Sequence, residues 1–160
     1  MSVMNAIETR FAVEDLLYAY VDCLDHNRLE EWPDFFTEDC FYQVISRDDH
    51  AAGLPVGVMT CTSRGMLIDR IVSLRKANIY EPHVYRHLIS AISLRSQEDG
   101  IWTVQTSYAV IRTMQEGDVS MFSTGKYLDR IELAGDRALF RERRVIFDSR
   151  RVDTLMVIPI

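Results

Sequence analysis

In the stretch ANIYEPHVYRHLIS, residues 77–90, His83 and His87 stand four apart with Glu81 just upstream. Three chemistries compete for them. A metal site is the first. On a helix the two histidines would share a face, but Pro82 and the β-prone residues around Tyr85 argue against a helix here. On a strand His83, Tyr85 and His87 share one face, and a third ligand has to come from far along the chain. There is no HExxH and no cysteine-rich ligand set. A facial iron triad needs two histidines and a carboxylate together. A Rieske centre needs paired Cys and His ligands, and Cys23, Cys40 and Cys61 are scattered.

Acid/base work is the second chemistry. Asp25, in CLDHN, and His87 can form a carboxylate–imidazole pair, with Tyr18, Tyr42 or Tyr108 as donors to a developing enolate oxygen. That pairing suits a stand-alone lyase or isomerase. The competing reading is structural: Asp25 caps a turn and His87 is a hydrogen-bonded core histidine. The third chemistry is recognition. Tyr80, His83, Tyr85 and Arg86 follow one another closely, Trp32 lies elsewhere, and the sequence closes on Ile158, Pro159 and Ile160. Tyr, Trp and Arg are the side chains that dominate interface hot spots. No GxGxxG, P-loop or nucleophile elbow competes with these readings.

The elements that must position these residues follow from periodicity. From about Asn5 to His26, Ile7, Phe11, Leu17, Val21 and Leu24 recur at helical steps. NRLEEWPDFF predicts a short second helix disturbed at Pro33. CFYQVI, residues 40–45, reads as a strand, and SRDDHAAGLPVG as a loop. Another helix follows, capped by Thr62 or Ser63, striped by Leu67, Ile71 and Leu74, and stopped near Asn78. From Tyr85 the period changes to two. YRHLISAISLRS, IWTVQTSYAVIRTM, VSMFSTGKYLDRIEL and RALFRERRVIFDS are strand-like runs separated by QEDG, QEGD and AGD, which is hairpin chemistry. Helices followed by a meander predict an α+β fold, its long antiparallel sheet curved into a cone around the N-terminal helices. In RERR, residues 141–144, alternation sets Arg141 and Arg143 on one face, solvated or ion-paired. The apolar tail DTLMVIPI either closes the core or docks on another subunit.

At 160 residues, with 48% hydrophobic and 26% charged residues, the chain fits one domain spanning residues 1–160. The balance of 18 basic against 24 acidic residues, a net −6, argues against nucleic acid as a partner. No apolar run is long enough to span a membrane. The N-terminal MSVMNAIETR lacks a secretory core, and three cysteines without CxxC fit reduced thiols in a cytoplasmic protein.

Three segments carry a resemblance to a known family: LDHNRLEEWPDFFTEDCFYQV, SRGMLIDRIVSLRKANIYEPHVYRHLIS and FDSRRVDTLMVIPI. Together, from about Tyr18 to Ile160, they resemble the small (beta) subunit of bacterial aromatic-ring-hydroxylating dioxygenases. The most specific parts are the W-P-x-F-F-T-x-D-C block at Trp32–Cys40, the D-R-I and N-I-Y-E pair within Asp69–Glu81, and Y-R-H at Tyr85–His87. The subunits of terephthalate, salicylate, anthranilate and halobenzoate systems are the most similar. The resemblance implies a cone-shaped fold like nuclear transport factor 2 and ketosteroid isomerase. It implies a non-catalytic assembly subunit with no cofactor of its own. A Rieske-type alpha subunit would carry the [2Fe-2S] cluster and the mononuclear Fe(II), fed from NAD(P)H through a reductase, in an α3β3 complex built on a beta trimer. Asp25 and His87 then pass to structure, and Trp32, Tyr80, His83, Tyr85, Arg86, Ile158 and Ile160 become candidate subunit contacts. A small-molecule binding module of the same fold is a further alternative.

Overall fold

The computed structural model describes residues 5–152 and 156–160. Asn5 starts the first helix, α1 (Ala6–Asp25), through a capping box: its side chain accepts from Ile7 N and Glu8 N, and the Glu8 carboxylate accepts from Asn5 N. The buried stripe runs through Val13, Leu16, Leu17, Tyr20 and Leu24, whereas Ile7 and Phe11 are exposed. A 3-10 helix, Leu29–Phe35, holds Pro33 and buries Leu29 and Trp32. Strand β1 (Phe36–Ser46) starts earlier than its sequence suggests. The expected loop after it contains a one-turn helix, α2 (Arg47–Ala51), capped by Ser46. Strand β2 (Met59–Cys61) leads into α3 (Arg64–Lys76), which Ser63 caps and which buries Leu67, Ile71 and Leu74.

The four later strands are β3 (His83–Glu98), β4 (Ile101–Met114), β5 (Val119–Ala134) and β6 (Arg137–Phe147). Asp99 and Gly100 both take positive φ between β3 and β4, the backbone a two-residue type I′ hairpin demands. All six strands form one sheet in the order β2-β1-β6-β5-β4-β3.

Two parts of the expected architecture need correction. The sheet is mixed, because β1 runs parallel to β6, with Val44 opposite Val145 and Ile45 opposite Ile146. It is also open: β2 and β3 are its two edges and do not pair, so the antiparallel cone is not formed. Turn residues report only chain-neighbour pairings, so a parallel pairing between distant strands leaves no local mark. Strong curl was expected because long strands need cover. Here α1 packs on β3 and β6 and α3 on β1 and β2, while no residue of β3 beyond His87 is fully buried.

A third correction concerns RERR. A register shift where Arg130 and Ile131 of β5 meet Glu142 and Phe140 of β6 breaks the alternation, so Phe140 and Arg143 both point inward while Arg141 stays at the surface. Arg143 is fully buried. It donates through Nε and Nη2 to the two Asp129 oxygens at 2.8 and 2.7 Å. Its guanidinium also lies 3.9 to 4.2 Å from the ring centres of Tyr127, Phe140 and Tyr20. Burial works against its charge, but the Asp129 carboxylate, with Tyr20 and Tyr127 beside it, holds its pKa above the usual arginine range.

The three cysteines are free and buried. Burial pushes Cys23 and Cys40 up to about 11 and raises Cys61 as well. Tyr20 and Tyr42 hold the tail by donating to the Ile160 main-chain oxygen at 3.2 and 2.8 Å. Met156 to Ile160 are buried, so this segment closes the core; Asp153, Thr154 and Leu155 lie outside the described residues.

Replacing Asp129 by Ala strands a buried guanidinium, and urea unfolding should show a loss of about 3–5 kcal/mol. The double change Asp129→Leu with Arg143→Met, which removes both charges, should recover most of that loss.

Candidate functional site

His83 opens β3, and from there alternation turns Tyr85 and His87 into the core while Val84, Arg86 and Leu88 face out. His83 packs between the rings of Tyr80 and Tyr85, and its Nδ1–H donates to the main-chain oxygen of Glu81 at 2.8 Å. The Glu81 carboxylate, which made this stretch look like a ligand set, takes no part in that contact. Among the described residues no three His, Cys, Asp or Glu side chains come together to hold a metal.

The structure does bring Asp25 and His87 together. Asp25 is the last residue of α1, and its Oδ2 accepts from the backbone N–H of His87 at 2.9 Å. Its Oδ1 lies 2.5 Å from His87 Nδ1. A carboxylate only accepts, so Nδ1 carries the proton of this bond. The His87 side chain is wholly buried and that of Asp25 is 7% exposed. His87 Nε2 is buried with no hydrogen-bond partner among the described residues.

The pair lies at an open groove of about 480 Å³ between α1 and the edge strand, with Tyr18, Asp22, His26 and Arg86 along it. Asp22 is already committed to Arg28 and His26. Of the three candidate tyrosine donors, only Tyr18 shares this groove. Tyr42 is in the core on Ile160, and Tyr108 bonds Ser123 Oγ at 2.9 Å while stacking on Tyr127. Burial pushes the phenols of Tyr42 and Tyr108 above their usual range.

The candidate contact residues divide by burial. Trp32 is in the core, where its Nε1–H donates to Tyr20 at 3.2 Å. Ile158 and Ile160 are buried in the core with Met156 and Val157, and Tyr85 stacks on Phe122. Tyr80 and His83 are half-buried and Arg86 is exposed. Residue-by-residue inspection passes over the buried Asp129–Arg143 pair, although YLDRI carries its signal. Asp129 stands between Tyr127 and Ile131 on the inward face of an alternating strand, a position that calls for a buried cation.

Comparison with known proteins adds an independent line. Residues 20–154 match the family described as ring hydroxylating beta subunit. The chain is 42% identical to the anthranilate 1,2-dioxygenase small subunit of Burkholderia cepacia, covering 96% of each chain. It is 40% identical to the terminal oxygenase component subunit beta 1 of terephthalate 1,2-dioxygenase from a Comamonas species, covering 89% of this chain and 92% of that one. A crystal structure assigned as the beta subunit of an aromatic-ring-hydroxylating dioxygenase of Novosphingobium aromaticivorans superimposes with a TM-score of 0.89 at 42% identity, covering 97% of this chain and 99% of the other.

Asp25→Ala removes the acceptor for two buried N–H groups of His87. The expected cost is on the order of 2–4 kcal/mol in chemical denaturation, with faster amide exchange at His87 in the edge strand.

Proposed function

The chain belongs to the family of ring-hydroxylating dioxygenase beta subunits, and from that premise we propose that it assembles, as a single domain, with a Rieske-type alpha subunit on a core trimer of its own kind, in an α3β3 oxygenase that attacks an aromatic carboxylate in the cytoplasm. The observation that carries this reading is the 42% identity to an anthranilate dioxygenase small subunit along 96% of both chains. Anthranilate and terephthalate, the substrates in the names of the two relatives, are both aromatic carboxylates, which supports the substrate class.

The donor set of this chain supports placing the metals elsewhere. Each of its three thiols is buried, with its pKa raised by burial, and thiolates are what an iron–sulfur cluster requires. In the partner, the Rieske cluster would relay electrons to the mononuclear iron where oxygen meets the ring. The part left to this chain is to hold the alpha subunits in a fixed arrangement. Its arginines serve that rigidity. Arg75 ties α3 to Glu30 of the 3-10 helix through its Nε–H at 2.7 Å, and Arg64 ties it to Asp34 and to Glu38 of β1.

Co-expression with a Rieske-type alpha chain tests this. A large brown complex with stoichiometric iron and sulfide should elute from size-exclusion chromatography, while the isolated chain should be colourless and inactive. Turnover of an aromatic acid by the isolated chain would sink the reading.

A second reading is favoured by the 2.5 Å Asp25–His87 contact and by Nε2, which has no hydrogen-bond partner among the described residues. In it Asp25 orients the ring and His87 Nε2 removes a proton from a small substrate, as in a lyase or isomerase. That reading expects Asp25→Asn and His87→Gln to abolish an activity of the isolated chain while circular dichroism stays native. Activity of the assembled complex that follows only the degree of assembly in these variants ends it.

A further inference from the structure

The helices of this chain pack on β1, β2, β3 and β6, while the outer face of β3, β4 and β5 meets solvent. A sheet face is ordinarily covered by a second layer. Val84, Leu88 and Met121 on this face are more than half exposed. The ladder sets Arg86 between Val84 and Leu88 on β3 and opposite Ile111 of β4, which in turn stands opposite Met121 of β5. Lys126 points the same way, because its neighbour Tyr127 is buried on the inner face. In the rows of this face between Val84 and Lys126 the charged side chains are Arg86 and Lys126, both cations. Neither takes part in an ion pair among the described residues. Asp22 and Asp25, along the groove that Arg86 borders, are already bonded to Arg28 and His87.

Helix α1 presents the complement. Ile7, Phe11, Asp15 and Tyr18 follow at steps of four, four and three residues and so share one face. The three large side chains of that stripe are more than half exposed. Asp15, between the two rings, is exposed and likewise enters no ion pair among the described residues. Across its length α1 holds five carboxylates against Arg10, a net −4. The other helix with exposed aliphatics, α3, holds four basic side chains against Asp69, a net +3. Charge therefore matches α1, and not α3, to the face around Arg86. The rings beside Asp15 suit a guanidinium as well as its carboxylate does.

We propose that the exposed stripe of α1 in one copy of this chain lies on the outer face of β3 to β5 in the next, with Asp15 of one copy against Arg86 of the other, an inference that rests on the proposed core trimer. Both halves of the contact are on the same chain, as self-assembly requires. Each copy offers its sheet face to one neighbour and its helix to the other, a head-to-tail contact that can close as a ring. An ion pair in water contributes little by itself. Here the aliphatic and aromatic surround supplies the affinity, and the two charges choose the partner and fix how it sits.

Sedimentation velocity on the isolated full chain tests this with wild type, Arg86→Glu, Asp15→Arg and the double reversal Asp15→Arg/Arg86→Glu. Wild type should sediment as a trimer. Each single reversal places like charges in the contact and should weaken self-association at least about tenfold. Circular dichroism should stay native, since both positions are exposed. The double reversal should recover most of the loss, which damage to the fold could not produce. A trimer that survives either single reversal overturns the proposal and leaves the beta-subunit reading standing. So does a double variant no better than the single ones, or a loss confined to binding of the alpha chain. A wild-type chain that is monomeric removes the core trimer and this contact with it, a result read before any variant is compared.

Discussion

A guanidinium sealed inside a protein fixes its surroundings, because every donor and the charge itself must be matched. Arg143 meets most of that requirement through one carboxylate and three aromatic faces, its Nη1 finding no hydrogen-bond partner among the described residues. Asp129 stands directly opposite it on β5, so the ion pair locks the register of the two strands. A slip of one residue would send Asp129 to the outer face and leave the arginine alone. Tyr20, one of the three rings, belongs to α1, and the requirement therefore reaches the helix layer. Tyr20 in turn receives the Trp32 N–H and donates to the Ile160 oxygen. The 3-10 helix, the first helix, two strands and the tail are thus linked through one charge. A hydrophobic substitute of equal volume can match such a pair in stability, but it would not carry the same instruction about register.

The Asp25–His87 contact answers a different local constraint. A carboxylate at the last residue of a helix faces the negative end of the helix dipole and needs donors from elsewhere. Strand β3 is the edge of the sheet and carries backbone N–H groups that no neighbouring strand accepts. His87 offers one of these together with a ring N–H, and Asp25 accepts both. The contact fastens the helix end and covers part of an edge at once. The same geometry would orient a general base, so the distance alone does not distinguish the two uses. What separates them is whether a substrate reaches Nε2.

Legibility from the sequence followed the range of each interaction. The hairpins of β3 to β6 were readable because Asp99-Gly100 and similar turns sit between alternating runs, and both signals are local. The parallel pairing of β1 with β6 was not, since nothing near Val44 points to Val145. The bulge that turns Phe140 and Arg143 inward defeated strict alternation for the same reason: it adds one residue to one strand without changing composition. Trp32 and the final isoleucines read equally well as interface or core, because large apolar side chains suit both; only the tyrosine hydroxyls waiting for Ile160 decide where the tail goes. The adjacency of Asp25 and His87 was within reach of reasoning, since a helix end over an inner strand brings such residues close. The exposure of Leu54, Val56 and Val58 in the loop before β2 was missed because Gly and Pro announce a turn whatever the side chains around them do.

The domain has an ordinary apolar core, but its polarity departs from that pattern in two places. Its interior contains an ion pair, a buried histidine and tyrosine hydroxyls, while large aliphatic and aromatic side chains stand in water on α1, on α3, on the outer face of β3 and at the loop before β2. Hydration of that surface is unfavourable in the isolated chain and is relieved only when something covers it. The interior network makes its main hydrogen bonds and ring contacts within the chain, with Arg143 Nη1 and His87 Nε2 left without a hydrogen-bond partner among the described residues. A subunit built this way can fold first and assemble afterwards, with the rigidity set by Arg143 passed unchanged to the surfaces that meet other chains. For a component that contributes position rather than chemistry, that order of events is the useful one, since a scaffold that reshaped on binding would lose in ordering entropy what its contacts contribute.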